Sequence, residues 1–426
     1  MRAMKDSGIE WIGEIPKNWG IIRNKNVFLC TKELVGEKSS LVQLLSLTTQ
    51  GIKEKDINNP EGKLPETFDT YQYVKKNDIV MCLFDMDISA VFSGRSFFEG
   101  MISPAYKVLT CKANTVPAFA DYWFRYIFDG RKFNHYAKNI RYTLSYNEFS
   151  TLSILNPPID EQQRIADYLD DKCAKIDAII EKQKAVIEKL KEYKLSVITE
   201  AVTKGLDPNV EMKDSGIEWI EKIPVTWEVR KFFWDYSAML GKMLDTKKIT
   251  AKNLYPYIKN VDVQWDKINF ETLDEMDFSE DEKERYEILA GDLMICEGGE
   301  IGRCSIVPST VPQGVRYQKA LHRVRKRTNG QGYIPFLAKT MYCMAKNNCF
   351  STSPEKATIA HLPGEALNQL RLPSPPENEQ RKIVEYLDGK CEQIDSAIKS
   401  KQAIIDKLIA YKKSLIYEVV TGKKEV

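Results

Sequence analysis

Asn156-Pro157-Pro158-Ile159 is the first stretch in this chain whose residue types and order could do covalent chemistry. An Asn or Asp followed by two prolines and an aromatic ring can hold a flipped-out adenine. The polar side chain and a backbone carbonyl accept from the exocyclic amine, and the ring stacks on the base. Here the fourth residue is Ile159, which cannot stack, and the related Ser374-Pro375-Pro376-Glu377 lacks both the amide and the ring. No glycine-rich cofactor loop accompanies either stretch, so both read as proline stops ahead of a helix. A second stretch, Glu297-Gly298-Gly299-Glu300-Ile301-Gly302, is neither a dinucleotide fingerprint nor a phosphate loop. It reads as a tight turn between strands, or as a loop that lets the backbone approach DNA or a protein partner. The three histidines, His135, His322 and His361, lie far apart in sequence, and the nine cysteines contain no CxxC pair. A metal centre is therefore not expected, and the thiols read as reduced groups of a cytoplasmic protein.

Recognition suits the remaining residues better than catalysis. The run from Arg316 to Arg327, RYQKALHRVRKR, interleaves basic, amide and aromatic side chains. Arg pairs with guanine edges, Gln with adenine edges, and Lys with phosphate. Arg316, Tyr317, Gln318, Lys319 and Arg323 are the candidate DNA contacts there, with Arg303 earlier and Lys356 later in the same domain. Arg95, Lys138, Arg141 and Tyr142 are the counterparts earlier in the chain. The same alternation also fits a strand with one wet face. The acidic run over residues 271–287 reads as a solvated face turned from DNA. Net charge is only +2, whereas a free-standing DNA binder draws most of its affinity from phosphate contacts and is more basic. Either the chain does not bind nucleic acid, or its basic residues act locally and partners supply the rest.

The elements that would position these residues come in duplicate. Residues 4–19 read MKDSGIEWIGEIPKNW, and residues 212–227 read MKDSGIEWIEKIPVTW. From Pro157 the chain reads PPIDEQQRIADYLDDKCAKIDAII, and from Pro375 it reads PPENEQRKIVEYLDGKCEQIDSAI. The offsets are 208 (Met4 to Met212) and 218 (Pro157 to Pro375). Near-identical blocks therefore flank two diverged middles, which still share NDIVMC with GDLMIC and LSYNEF with LPGEAL. Each middle reads as a small α/β domain with short strands and one amphipathic helix. Its two Trp pairs, Trp11 with Trp19 and Trp219 with Trp227, read as packing anchors.

After each Pro-Pro stop a long helix is expected, capped by Asp160 or Asn378. A heptad stripe runs through Leu169, Ile176, Leu190 and Val197, with Ile179, Val186 and Tyr193 three residues on. The second copy repeats it with Leu387, Ile394, Leu408 and Leu415, then Ala397, Ile404 and Tyr411. Each helix should run for about 40 residues, or about 60 Å, the first ending near Gly205. Two such stripes in one chain should pair as a coiled coil. Gln183 and Lys401 fall in the stripe, as register-setting polar residues or as a solvated kink. No apolar run nears the ~20 residues of a membrane span, and MRAMKDSGIEWIGEIP has no signal-peptide core.

This layout resembles the DNA-specificity subunits of type I restriction-modification systems. The repeated GIEWI…IP…W, the PP-x-x-EQ-x-x-I before each helix, GDLMICEGGEIGR with QKALHRV, and SPAYKVL carry the resemblance, which covers essentially the whole chain. It implies an α/β (α+β) protein with two pseudo-symmetric target recognition domains, separated by two long antiparallel helices forming a coiled coil. The expected division is 1–158, 159–205, 206–376 and 377–426: domain, helix, domain, helix. It implies a subunit with no catalytic residues and no cofactor of its own. S-adenosylmethionine would sit on partner methyltransferase subunits, expected as two copies. An endonuclease and translocase subunit and double-stranded DNA complete the expected partners, with no membrane. The alternatives are a coiled-coil adaptor that binds only proteins, and a degenerate adenine methyltransferase.

Overall fold

The computed structural model describes residues 2–56, 65–86, 92–137, 142–243, 253–350 and 361–426. Packing divides the chain into two compact units, Met1–Lys184 with Gln402–Val426, and Ala185–Lys401. The division falls within both long helices, so each unit contains one domain and half of each helix, whereas the expected division gives each helix a segment of its own.

The first unit opens with a hairpin of strands Met4–Asp6 and Glu14–Pro16. Its turn follows from side chains that imitate backbone: the Asp6 carboxylate accepts from the Gly8 N–H at 2.9 Å, and the Ser7 hydroxyl accepts from the Ile9 N–H at 3.1 Å. Trp19 is buried after it. A four-stranded antiparallel sheet follows, ordered Phe28–Cys30, Lys107–Cys111, Ile79–Met81, Ser93–Arg95. The helix Pro117–Asp129 buries Phe119, Trp123 and Phe124, and the Phe124 ring lies 5.4 Å from that of Phe28. The Asn77-Asp78 pair makes the turn into Ile79–Met81. Asn77 has φ +73°, and the buried Asp78 accepts from the Lys75 N–H at 2.8 Å and the Thr110 hydroxyl at 2.7 Å.

The second unit repeats this order. Its hairpin is Met212–Ile217 with Ile220–Pro224, and its antiparallel sheet runs Tyr236–Leu240, Leu321–Lys326, Leu293–Cys296, Cys304–Ile306. The domain helix is Ile334–Lys346. Gly291 takes φ +89°, and Asp292 accepts from the Leu289 N–H at 2.8 Å and the Arg325 guanidinium at 2.5 Å. This unit adds a sheet of Asp274–Asp277, Leu254–Ile258 and Arg316–Tyr317, the last two parallel. Because both main sheets are antiparallel, the domains are α+β in arrangement.

The long helices are Ile159–Lys204 and Glu377–Val420, of 46 and 44 residues, about 69 and 66 Å at 1.5 Å per residue. They start at the first residues of the expected segments, two residues before the starts that caps at Asp160 and Asn378 would give, so Asp160 lies in the first turn, where it faces the positive helix end, and is not the cap. Gly205, at φ +78°, ends the first helix as expected. The helix starts are tied to the domains by two equivalent buried glutamines. Gln162 donates to the Pro157 carbonyl at 2.9 Å and accepts from the Val116 N–H at 2.9 Å. Gln380 donates to the Pro375 carbonyl at 2.8 Å and accepts from the Tyr333 N–H at 2.9 Å. Val116 and Tyr333 cap the two domain helices, so each glutamine satisfies a helix-end donor with no partner in its own helix.

One half of the expected stripe is misplaced by a residue. Ile179, Val186, Tyr193, Ile404 and Tyr411 are exposed. The second buried row lies four residues on, not three: Cys173, Ile180, Ile187 and Ala201 in the first helix, Cys391, Ile405 and Val419 in the second. A heptad alternates steps of three and four, and apolar residues at both sites leave its phase to packing. Two lysines complete the row. Lys194 contacts both oxygens of Asp395 at 2.9 and 2.7 Å, and Lys412 both oxygens of Asp177 at 2.7 Å. No helix among the described residues is long and apolar enough to cross a membrane.

Candidate nucleic-acid interface

The basic run divides by register. Arg316–Tyr317 is a short strand in the three-stranded sheet, and Leu321–Lys326 is a central strand of the main one. Tyr317 has no exposed surface, and its hydroxyl donates to the Met239 carbonyl at 3.1 Å. Arg316 is also buried, stacked 4.3 Å over the Tyr255 ring and donating to the Gly314 carbonyl. Arg323 donates to the carbonyls of Arg285 and Glu287 at 2.9 and 2.6 Å, and burial pulls its guanidinium below its ordinary value. Arg303 holds the carbonyl and side-chain oxygens of Asn260 at 2.9 and 2.7 Å. These four side chains serve the fold in this conformation, and a duplex does not reach Tyr317 or Arg316.

Gln318 and Lys319 are placed differently. Lys319 is exposed, Gln318 half-buried, and among the described residues neither side chain has a partner. Their backbone is fixed: the Lys319 N–H donates to the Lys242 carbonyl at 2.8 Å, and the Gln318 N–H to the Ile258 carbonyl at 3.2 Å. Gly241 lies so close to the Gln318 backbone that no Cβ would fit. The result is a rigid tip that presents an amide, a cation and the neighbouring Met243, which is 61% exposed.

In the first domain Arg95 is less free than its sequence suggests. Its guanidinium lies 4.6 Å over Phe97 and 3.7 Å from Asp170 of the first long helix, so it joins domain to helix. Tyr142 is partly exposed at φ +45°. Lys138, Arg141 and Lys356 lie outside the described residues.

The acidic run is not simply a solvated face. Glu282 pairs with Lys242, and Asp274 with Lys259 at 2.8 Å. Exposed Trp234, stacked under Arg230 at 5.5 Å, is hidden in the sequence because Phe232, in the same aromatic run, is core. Residues 297–302 form the hairpin turn between Leu293–Cys296 and Cys304–Ile306, with Gly299 and Gly302 at φ +73° and +76°. Asn156 ends the strand Ser153–Asn156, and its side-chain oxygen accepts from Gln162 at 3.3 Å. Both stretches are thus built as a turn and a helix start.

No protein-family model matches the chain. Among solved structures, a chain of the type I R-M system, studied for complex assembly and conformational transition, matches with TM-score 0.72 at 14% identity, covering 96% of this chain and 99% of that one. The HsdS subunit from Thermoanaerobacter tengcongensis matches with TM-score 0.53 at 14% identity, covering 98% and 100%. Near-complete coverage of both chains at so low an identity is a likeness of whole architecture, and this chain has the fold of the type I restriction-modification HsdS subunit.

Proposed function

We propose that the chain is the DNA-specificity subunit of a type I restriction-modification complex, without catalytic residues or a cofactor of its own. Each domain reads one half of an asymmetric bipartite site. The observation that carries this reading is the doubled scaffold. Both units use the same strand order and the same glutamine joint, while Gln318-Lys319 in one domain stands where Ser103-Pro104 stands in the other. One frame with two different tips suits two different half-sites.

In this proposal the long helices run antiparallel as a spacer. The pairs Lys194–Asp395 and Lys412–Asp177 support it, since each is the other displaced by the 218-residue offset. The exposed apolar residues Ile179, Ile404 and Tyr411 in the first unit, and Val186 and Tyr193 in the second, each precede a seam residue. They are the proposed seat of two methyltransferase subunits, which carry S-adenosylmethionine, in a cytoplasmic complex that an endonuclease subunit can join.

Exchanging residues 222–373 for those of another specificity subunit tests the reading. The assembled methyltransferase should then methylate a sequence altered in one half-site only, as read by methylome sequencing. Changes in both halves would refute modular reading. An assembled complex with no sequence preference in a gel shift would leave the chain a protein-binding adaptor.

A further inference from the structure

Each domain helix is fastened to its long helix at two points. The first is the buried glutamine, whose amide oxygen accepts from the Val116 N–H in one half and from the Tyr333 N–H in the other. The second lies eight residues further along the long helix (170 − 162 and 388 − 380), about 12 Å at 1.5 Å per residue. There the Asp170 carboxylate accepts from the Tyr122 hydroxyl at 2.7 Å, and Asp388 pairs with the Lys339 ammonium at 3.0 Å. Tyr122 and Lys339 hold the same place on the domain side, six residues past the caps Val116 and Tyr333 (122 − 116 and 339 − 333). The long helix thus presents the same acid twice, and the two domains meet it with different chemistry.

Stability explains little of this repetition. The Asp170 and Asp388 side chains are 49% and 60% exposed, and pairs so open to water add little to folding. In the second half the two helices are held together by apolar side chains, with Phe336 and Cys343 in one cluster with Leu387 and Cys391. Apolar packing has no preferred direction. A hydrogen bond has one, because it weakens steeply off line. A single directional contact leaves the domain able to rock about it, and a second, about 12 Å along the helix, removes that freedom. The surroundings reinforce the second contact in each half. Arg95 lies 3.7 Å from the other Asp170 oxygen. Burial pulls the Lys339 ammonium down, and Asp266 with Asp388 more than restores it, so it stays a cation.

A fixed angle matters to a protein that reads two separated half-sites. One added base pair moves a half-site by about 3.4 Å along the duplex and about a tenth of a turn around it. A domain that follows it by tilting on its helix must break the aspartate contact. We infer that Asp170 and Asp388 are positioning residues: each fixes the angle of its domain on its long helix, and together they restrict the number of base pairs allowed between the half-sites. The inference rests on the function proposed above.

The test assembles the full chain with methyltransferase subunits and measures initial methylation rates on duplexes. These carry both wild-type half-sites at the natural spacing, one base pair shorter and one longer. Asp170→Ala with Asp388→Ala should raise the rates on the altered spacings, relative to the natural one, by about tenfold or more, since a charge-assisted contact no longer has to be broken. The bases of each half-site should stay the same in methylome sequencing. Tyr122→Phe with Lys339→Met removes the same contacts from the domain side and should give the same shift, which keeps the test open if the alanine pair folds poorly. A spacing ratio equal to wild type in both variant pairs, whatever their melting temperatures, would overturn the inference alone. Altered half-site bases would place the aspartates in reading rather than positioning and overturn it too. A wild-type assembly that methylates no two-part sequence would sink the functional reading and this inference with it.

Discussion

Lys319 and Arg323 belong to one basic run, yet their surroundings give them different work. Arg323 saturates two backbone carbonyls, whereas Lys319 stands on a fixed tip with its ammonium free of partners among the described residues. Lys319→Ala should therefore weaken DNA binding by the assembled complex and reduce the salt slope by about one, with no change in melting. Arg323→Ala should instead destabilise the second domain by about 1 kcal/mol, because it removes the Arg285 carbonyl's donor and leaves the Glu287 carbonyl with Arg325 alone at 3.3 Å. Gel shifts across salt and denaturant titrations separate the two, and a stability loss in Lys319→Ala would count against its role. Gln162 and Gln380 make the complementary case. Each is a buried amide whose loss strands a helix-capping N–H, so Gln162→Ala or Gln380→Ala should cost about 1–3 kcal/mol. Hydrogen exchange should rise first at Val116 or Tyr333. Unchanged protection there would mean the joint is dispensable.

At the scale of the element, the long helices separate packing from display within a single heptad. Ile187 and Ile405 are buried, while the residues just before them, Val186 and Ile404, are exposed, as are Tyr193 and Tyr411 at 53% and 54%. Ile187→Asp with Ile405→Asp puts unpaired carboxylates into the seam and should cost at least about 3 kcal/mol, seen as a lowered melting temperature or aggregation. Tyr193→Ala with Tyr411→Ala should leave melting nearly unchanged and weaken methyltransferase binding. If the tyrosine pair melts the protein and the isoleucine pair does not, the assignment of seam and display rows is wrong. The seam lysines work differently. Burial pulls the Lys194 ammonium down, and the Asp395 carboxylate more than restores it, leaving it above lysine's ordinary value. The pair thus tolerates a cation in an apolar row, while its geometry favours one register.

At the scale of the molecule, the chain's order is separable from its fold. In the first unit Gly422, at φ +72°, lies against Pro16 and Trp19. In the second unit Gly205 lies against Pro224 and Trp227. The helix end therefore meets the hairpin in the same way whether or not the chain runs on between them. A permutant opened between Leu206 and Met212, with the original ends joined by a short Gly-Ser linker, should fold and assemble with methyltransferase subunits. It should keep its recognition sequence, as read by methylome sequencing. A soluble, assembled permutant that methylates a different sequence would show that chain order itself sets specificity.

Much of this architecture is legible in the amino-acid sequence. The duplication, the helix positions after each Pro-Pro, and the buried strands within NDIVMC and GDLMIC all rest on local chemistry. Turn residues, helix stops and apolar periodicity act over a few neighbours, and a single chain displays them directly. The candidate site is less legible. Whether Arg316, Tyr317 or Lys319 faces outward depends on which strand each joins, and those partners, Leu254–Ile258 and Leu293–Cys296, lie far away in the chain. The choice between Ile179 and Ile180 as seam residues is likewise open in the sequence, because both are isoleucine and only the facing helix distinguishes them. Sequence by itself determined the elements and their repetition. Tertiary structure decided which face of each element is buried, because burial comes from contacts between residues distant in the chain, and no local pattern encodes the partner.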